Sequence, residues 1–187
     1  MFSAKQPGIA ASALLLLSAL LTVTVNGQSS AAPAKSFDQQ GLVFEYAPNW
    51  ELGGAPTGEL QQLVLTEKTL DAQIMVIAPL ATITSAKEEE RAKHDVVEPV
   101  INRLIKQYDD AGIKLERTPL SGDVGGVAAQ GLQLRFAVDG QPGFTDIYWL
   151  LINQRLVQLI FVRPEKTAPQ STPCWDLIRR TLRIRKS

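Results

Sequence analysis

Two neighbouring stretches, FTDIYWLLIN and RLVQLIFVR, are apolar on both faces, from Ile147 to Ile152 and from Leu156 to Val162. A strand with one side in water alternates between apolar and polar residues, whereas a strand covered on both sides reads as a continuous apolar run. The pattern therefore predicts two central strands of a sheet with a layer packed on each face. A chain of 187 residues has room for one such domain.

The flanking segments supply the layers. LVFEY alternates, with Leu42, Phe44 and Tyr46 on one face, and Pro48 ends that strand because it lacks a backbone donor. QQLVLTE and AQIMVIAPL read as a hairpin around KTLD, so three strands are expected before the first helix. Ser85 and Glu88 have the spacing of a capping box. Val96, Val97, Val100, Ile101, Leu104, Ile105 and Tyr108 follow at helical spacing, and Gly112 suits the helix end. Pro99 falls inside this run, which predicts a kink around Asp95 to Glu98. IKLERTPL and GVAAQGLQLRFAV read as strands joined by SGDVGG.

A last helix is predicted to start at Thr172-Pro173, with Trp175, Ile178 and Leu182 on one face. Arg179, Arg180, Arg183, Arg185 and Lys186 would complement its dipole on a solvated face. Strands in hairpins with one long helical excursion give an α+β domain. The expected form is an antiparallel sheet of about six to seven strands with a long central helix and a C-terminal helix packed on it, in α/β/α layers.

Ahead of this body, Lys5 precedes an uncharged run from Ile9 to Val25 and then small and polar residues. That is the layout of an export segment, so residues 1–27 read as a signal peptide or an N-terminal membrane anchor. QSSAAPAKS, residues 28–36, reads as a flexible tether, and residues 37–187 as the single domain. Cleaved or retained, the segment leaves the body extracytoplasmic, periplasmic or secreted, and only Ile9–Val25 would touch the membrane.

Lysine plus arginine and aspartate plus glutamate stand at 19 each, which leaves no net field to gather nucleic acid. The single cysteine, Cys174, cannot form an internal disulfide and is expected to be buried. His94 is the one histidine, in a charged stretch, and reads as a solvated helix residue. Ser85, Ser121 and Ser171 lie in no nucleophile elbow. Asp109, Asp110, Asp123, Asp139 and Asp146 lack the spacing of a calcium loop, and Gly122, Gly125 and Gly126 read as a hairpin. The sequence thus predicts no catalytic residue, cofactor or metal site. Trp50, just past a strand end, reads as a lid on the core. The functional alternative is that Tyr46, Trp50 and Trp149 line a small apolar pocket or a partner contact.

FEYAPNW, the long helix up to YDDAGI, the paired LQLRFAV and DIYWLLINQRLVQLIFVRP, and CWDLIRRTLRI together resemble the exported domains of the Mog1/PsbP-like fold, which include the DcrB-like proteins. The resemblance spans roughly Phe37 to Arg185. It implies a non-catalytic accessory or binding module of the cell envelope, with another membrane or periplasmic protein as partner. A small apolar ligand held between sheet and helices is the alternative.

Overall fold

The computed structural model describes residues 32–54 and 58–185. The export segment, the first part of the tether and Lys186 lie outside the described residues. The body begins with β1 (Lys35–Gln39), β2 (Leu42–Tyr46), β3 (Glu51–Gly53), β4 (Leu60–Glu67) and β5 (Ala72–Pro79). Then come α1 (Ala86–Ala92), a π turn (Lys93–Val97) and α2 (Glu98–Asp110). Four strands follow, β6 (Glu116–Val124), β7 (Val127–Val138), β8 (Gln141–Ile152) and β9 (Arg155–Pro164), before α3 (Ala168–Thr181) and β10 (Arg183–Ile184).

Seven strands form one antiparallel sheet in the order β3-β4-β5-β9-β8-β7-β6, and β1-β2-β10 form a second, small sheet. The two doubly apolar runs are β8 and β9, near the middle of the large sheet. Val157, Leu159 and Phe161 point to one side, into a cluster with Phe44 of the small sheet, Trp50 of the β2–β3 turn, and Trp175 and Ile178 of α3. Ile147 and Ile160 point to the other, against Val100, Ile101, Leu104 and Ile105 of α2. The sheet is therefore sandwiched, and the expected α+β layering holds.

The two sides are unequal. The α3 side buries Phe44, Trp50 and Phe161 almost completely, each such side chain contributing about 1.5–3 kcal/mol or more. Helix α2, by contrast, has no fully buried residue. Most of the stability lies on the α3 side, and the α2 side is the looser layer.

Local chemistry explains the helix ends that the sequence made legible. The Ser85 side chain accepts from the Glu88 N–H at 3.3 Å, and Glu88 Oε2 accepts from Ser85 N–H at 3.2 Å, closing the capping box. The π turn at Lys93–Val97 occupies the stretch where Pro99 was expected to disturb the helix. Proline lacks the N–H that would bond back to the carbonyl at Asp95, and a widened turn is one way a helix absorbs that loss.

Several expectations need correction. Lys35 and Ser36 belong to β1, so the tether stops short of Lys35; Phe37 stacks on Phe44 with ring centroids 5.2 Å apart and fixes the strand. Five strands, not three, precede the first helix. The last helix begins at Ala168, with Pro169 in its first turn; Pro173 is inside it and forgoes only the bond to the Pro169 carbonyl. The SGDVGG turn shrinks to Gly125-Gly126, while Ser121 to Val124 extend β6. Gly125 has φ +61°, and a Cβ there would collide with the Leu182 carbonyl. Leu182 leaves the helix with extended dihedrals, and Arg183 and Ile184 pair with Val43 and Leu42. Arg183 and Arg185 are thus outside α3. Arg179 docks rather than facing solvent: its Nη2 donates to the Asp123 carbonyl at 3.0 Å and its guanidinium lies 5.0 Å from the Tyr148 ring centroid.

Candidate functional site

Tyr46 and Trp50 are 8% and 1% exposed and belong to the α3-side core, whereas Trp149 is half-buried on the α2 side. Side chains alternate along β8, so Tyr148 faces α3 and Trp149 faces away from it. The three residues do not line one pocket. Trp50 instead sits where the chain turns back after β2, its N–H donating to the Ala47 carbonyl at 3.1 Å, and it closes the core as a lid.

The other candidates have local tasks. His94 is exposed, with Nδ1 3.0 Å from Glu98 Oε2 one helical turn on. Asp110 pairs with Lys106 at 2.7 Å, and Asp123 Oδ1 accepts from the Gly126 N–H at 3.0 Å. Asp139 occupies a turn with φ +49°. Asp146 is the buried exception: it accepts from Gln133 Nε2 at 2.7 Å and forms an ion pair with Arg163, also at 2.7 Å. Ser171 Oγ donates to the Thr167 carbonyl at 3.1 Å.

Cys174 is 2% exposed, and its Sγ accepts from the Ala47 N–H at 3.4 Å. Burial pushes the thiol up from 9.0 to about 11. The unfolded thiol ionises first, so the stability this group adds is complete below pH 9 and drains away as pH rises toward 11. Up to about 2–3 kcal/mol is at stake, at roughly 1.4 kcal/mol per pKa unit. Urea titrations of the wild-type chain and Cys174→Ala at pH 8 and pH 11 are expected to show a steeper alkaline loss in the wild type. Parallel losses would mean that the buried thiol is not the source.

Two hollows remain. One is a groove between the sheet and α2 of about 460 Å³, lined by Leu60, Met75, Ile77, Val100 and Leu104, with Gln62 and Arg103 among its polar members. It runs beside the contacts that hold α2 to the sheet. Val97 in the π turn is 2% exposed, while Tyr108 near the far end packs its ring, tilted, on Phe136 at 4.7 Å and reaches Thr145 Oγ1 at 3.2 Å. Gln158 adjoins this layer. It pairs across the sheet with Ile77, is fully buried, and neither of its amide atoms has a hydrogen-bond partner among the described residues. A buried unsatisfied amide costs about 1–3 kcal/mol, so it is an unusual occupant of an apolar layer. The sequence signal was a single glutamine inside RLVQLIFVR.

The second hollow is a polar cleft of about 830 Å³ at the end of the sheet where the β1–β2 and β8–β9 turns meet β10. Arg155 lies at its base, 8% exposed. Its Nε donates to the Pro79 carbonyl at 3.0 Å, Nη1 to the Gln40 carbonyl at 2.7 Å, and Nη2 to Gln61 Oε1 at 2.7 Å. Gln61 in turn donates from Nε2 to the Gln39 carbonyl at 3.0 Å. Sequence reasoning missed this network, since Arg155 looked only like the first residue of a strand.

No family model matches the sequence, and no curated protein matches it. The structure is similar to the solution structure of cyanobacterial PsbP (CyanoP) from Synechocystis sp. PCC 6803, with a TM-score of 0.51 and 15% identity over 85% of this chain and 96% of that one. It is also similar to a crystal structure from Bacteroides thetaiotaomicron VPI-5482, with a TM-score of 0.53 and 13% identity, covering 82% of this chain and 49% of the other. At these identities the likeness is one of fold. With the sandwiched seven-stranded sheet and the long helix on its looser face, the chain has the PsbP-like fold.

Proposed function

We propose that the protein is an exported, non-catalytic binding domain that holds a small apolar ligand between its large sheet and α2. The groove of about 460 Å³ carries this reading, because it lies within the volume range of small-molecule sites and is walled mainly by aliphatic side chains. Gln158, whose cross-strand neighbour Ile77 lines the groove, is the buried amide nearest in register to it. The charge and hydropathy layout of the N-terminus supports an extracytoplasmic setting.

The test is fluorescence titration of the full chain with N-phenylnaphthylamine, a probe that brightens in apolar surroundings. Saturable binding is expected, weakened at least about tenfold in Leu104→Glu by the cost of placing a carboxylate against the bound apolar probe. Leu104 is only half-buried, so the variant is expected to fold. Equal binding by wild type and variant would remove the groove from consideration. The accessory reading, contact with another envelope or membrane protein, has less support, because Val138 is the one large hydrophobic residue exposed among the described residues. A specific partner crosslinked to ligand-free protein in the native envelope would reverse that order.

A further inference from the structure

The base of the polar cleft carries a positive charge that no negative group answers. The acceptors around Arg155 are the carbonyls of Pro79, Gln40 and, at 3.4 Å, Ala78, together with the amide oxygen of Gln61; all are neutral. No carboxylate among the described residues pairs with it, and burial alone pulls its pKa below the usual arginine value. Neutral oxygens satisfy N–H groups but leave the charge uncompensated, and removing a guanidinium from water costs several kcal/mol. A structural clamp alone does not call for that charge.

The guanidinium lines the cleft and has a donor to spare. Its fifth N–H, the second on Nη1, is not used by these four bonds. Nη1 faces Gly41, where a Cβ would stand 3.6 Å away in ordinary contact, and the φ of +80° is what selects glycine there. Asn153 and Gln154, both with positive φ, turn the chain along one wall, and Asn153 Nδ2 donates to the Ile184 carbonyl at 2.6 Å. On the other wall Arg185 pairs with Asp38 at 2.6 Å, both side chains about half exposed. Such an open pair is worth about 0–1 kcal/mol, so Arg185 can exchange its partner. Two arginines and one aspartate leave the cleft with a net positive charge.

We propose that this cleft binds a small soluble oxyanion, a carboxylate or phosphate group, held by Arg155 at the base and Arg185 at the rim. The site is separate from the groove beneath α2 and does not depend on that reading. Its chemistry is that of charge-assisted hydrogen bonding in a partly desolvated pocket, where a carboxylate or phosphate oxygen meets two guanidinium groups.

The test is NMR titration of the isotopically labelled full chain with sodium phosphate and, separately, sodium acetate, each against sodium chloride at matched ionic strength. Saturable shifts of the Gln40, Gly41 and Asn153 amides are expected with at least one of the two anions, and the stronger binder names the class. Arg185→Gln is expected to weaken binding about five- to tenfold, the scale of one charged hydrogen bond at an open site. Asp38→Asn, which frees Arg185 and removes the competing charge, is expected to tighten it by a similar factor. Both residues are exposed, so neither change threatens the fold. Shifts no larger than those from chloride, or binding unaltered in both variants, would overturn the proposal.

Discussion

Replacing Arg155 with methionine is expected to lower the stability of the domain by about 3 kcal/mol, because the buried oxygens it satisfies lose their donors at about 1–3 kcal/mol each where water cannot follow. Gln61 Oε1 is the costliest of these, since Gln61 is fully buried and its own bond to Gln39 depends on how its amide is held. Losing the desolvated charge refunds part of the penalty, which is why the figure is not larger. For a domain of this size the shift in Tm is roughly 6–12 °C. Arg155→Lys should fall between the two, since an ammonium group cannot span three acceptors in one plane. Thermal and urea unfolding of the full chain decide the matter. A loss under about 1 kcal/mol would show that the network is solvated and does not join the small sheet to the large one.

Trp50→Ala should cost more, about 3–5 kcal/mol, the range for deleting a large aromatic side chain from a packed core. Trp50 is 1% exposed and shares its cluster with Phe44, Phe161 and Trp175. Trp149→Ala provides the internal contrast: half-buried on the looser side, it is expected to lose about half as much. Denaturant unfolding of both variants under one set of conditions is sufficient. If Trp149 proved the more costly residue, the view that the α3 side holds the fold together would be wrong.

What the sequence made legible is what is decided locally or by coverage. The runs at Ile147–Ile152 and Leu156–Val162 are apolar throughout because two layers claim them, and no distant residue is needed to see it. The capping box at Ser85 and the disturbance before Pro99 are likewise settled within a few residues. β1 was hidden because KSFDQ is polar apart from Phe37, and its strand conformation comes from pairing with β2. β10 is two residues long and exists only because Leu42 and Val43 offer an edge. The α3 start was misplaced because two Thr/Pro-containing positions compete, and the preceding 3₁₀ turn at Glu165–Thr167 favours the earlier one. The candidate sites were the least visible part. Arg155 meets Gln40, Gln61 and Pro79 from three separate segments, and no spacing in the chain announces that meeting. The aromatic trio failed for the opposite reason: residue type suggested a shared pocket, and strand alternation sends Trp149 to the other face.

The pairing of β10 with β2 sets the order in which the polypeptide can mature. The small sheet that covers the α3 side is assembled from the first two strands of the body and the last, and α3 packs against β2 from the other end of the body. Contacts so distant in sequence form late and slowly. Until Arg183 and Ile184 are in place, β2 has a vacant edge. The α3-side layer is therefore complete only when the last strand has reached β2, and a chain that stops before Arg183 carries that face without its closing strand.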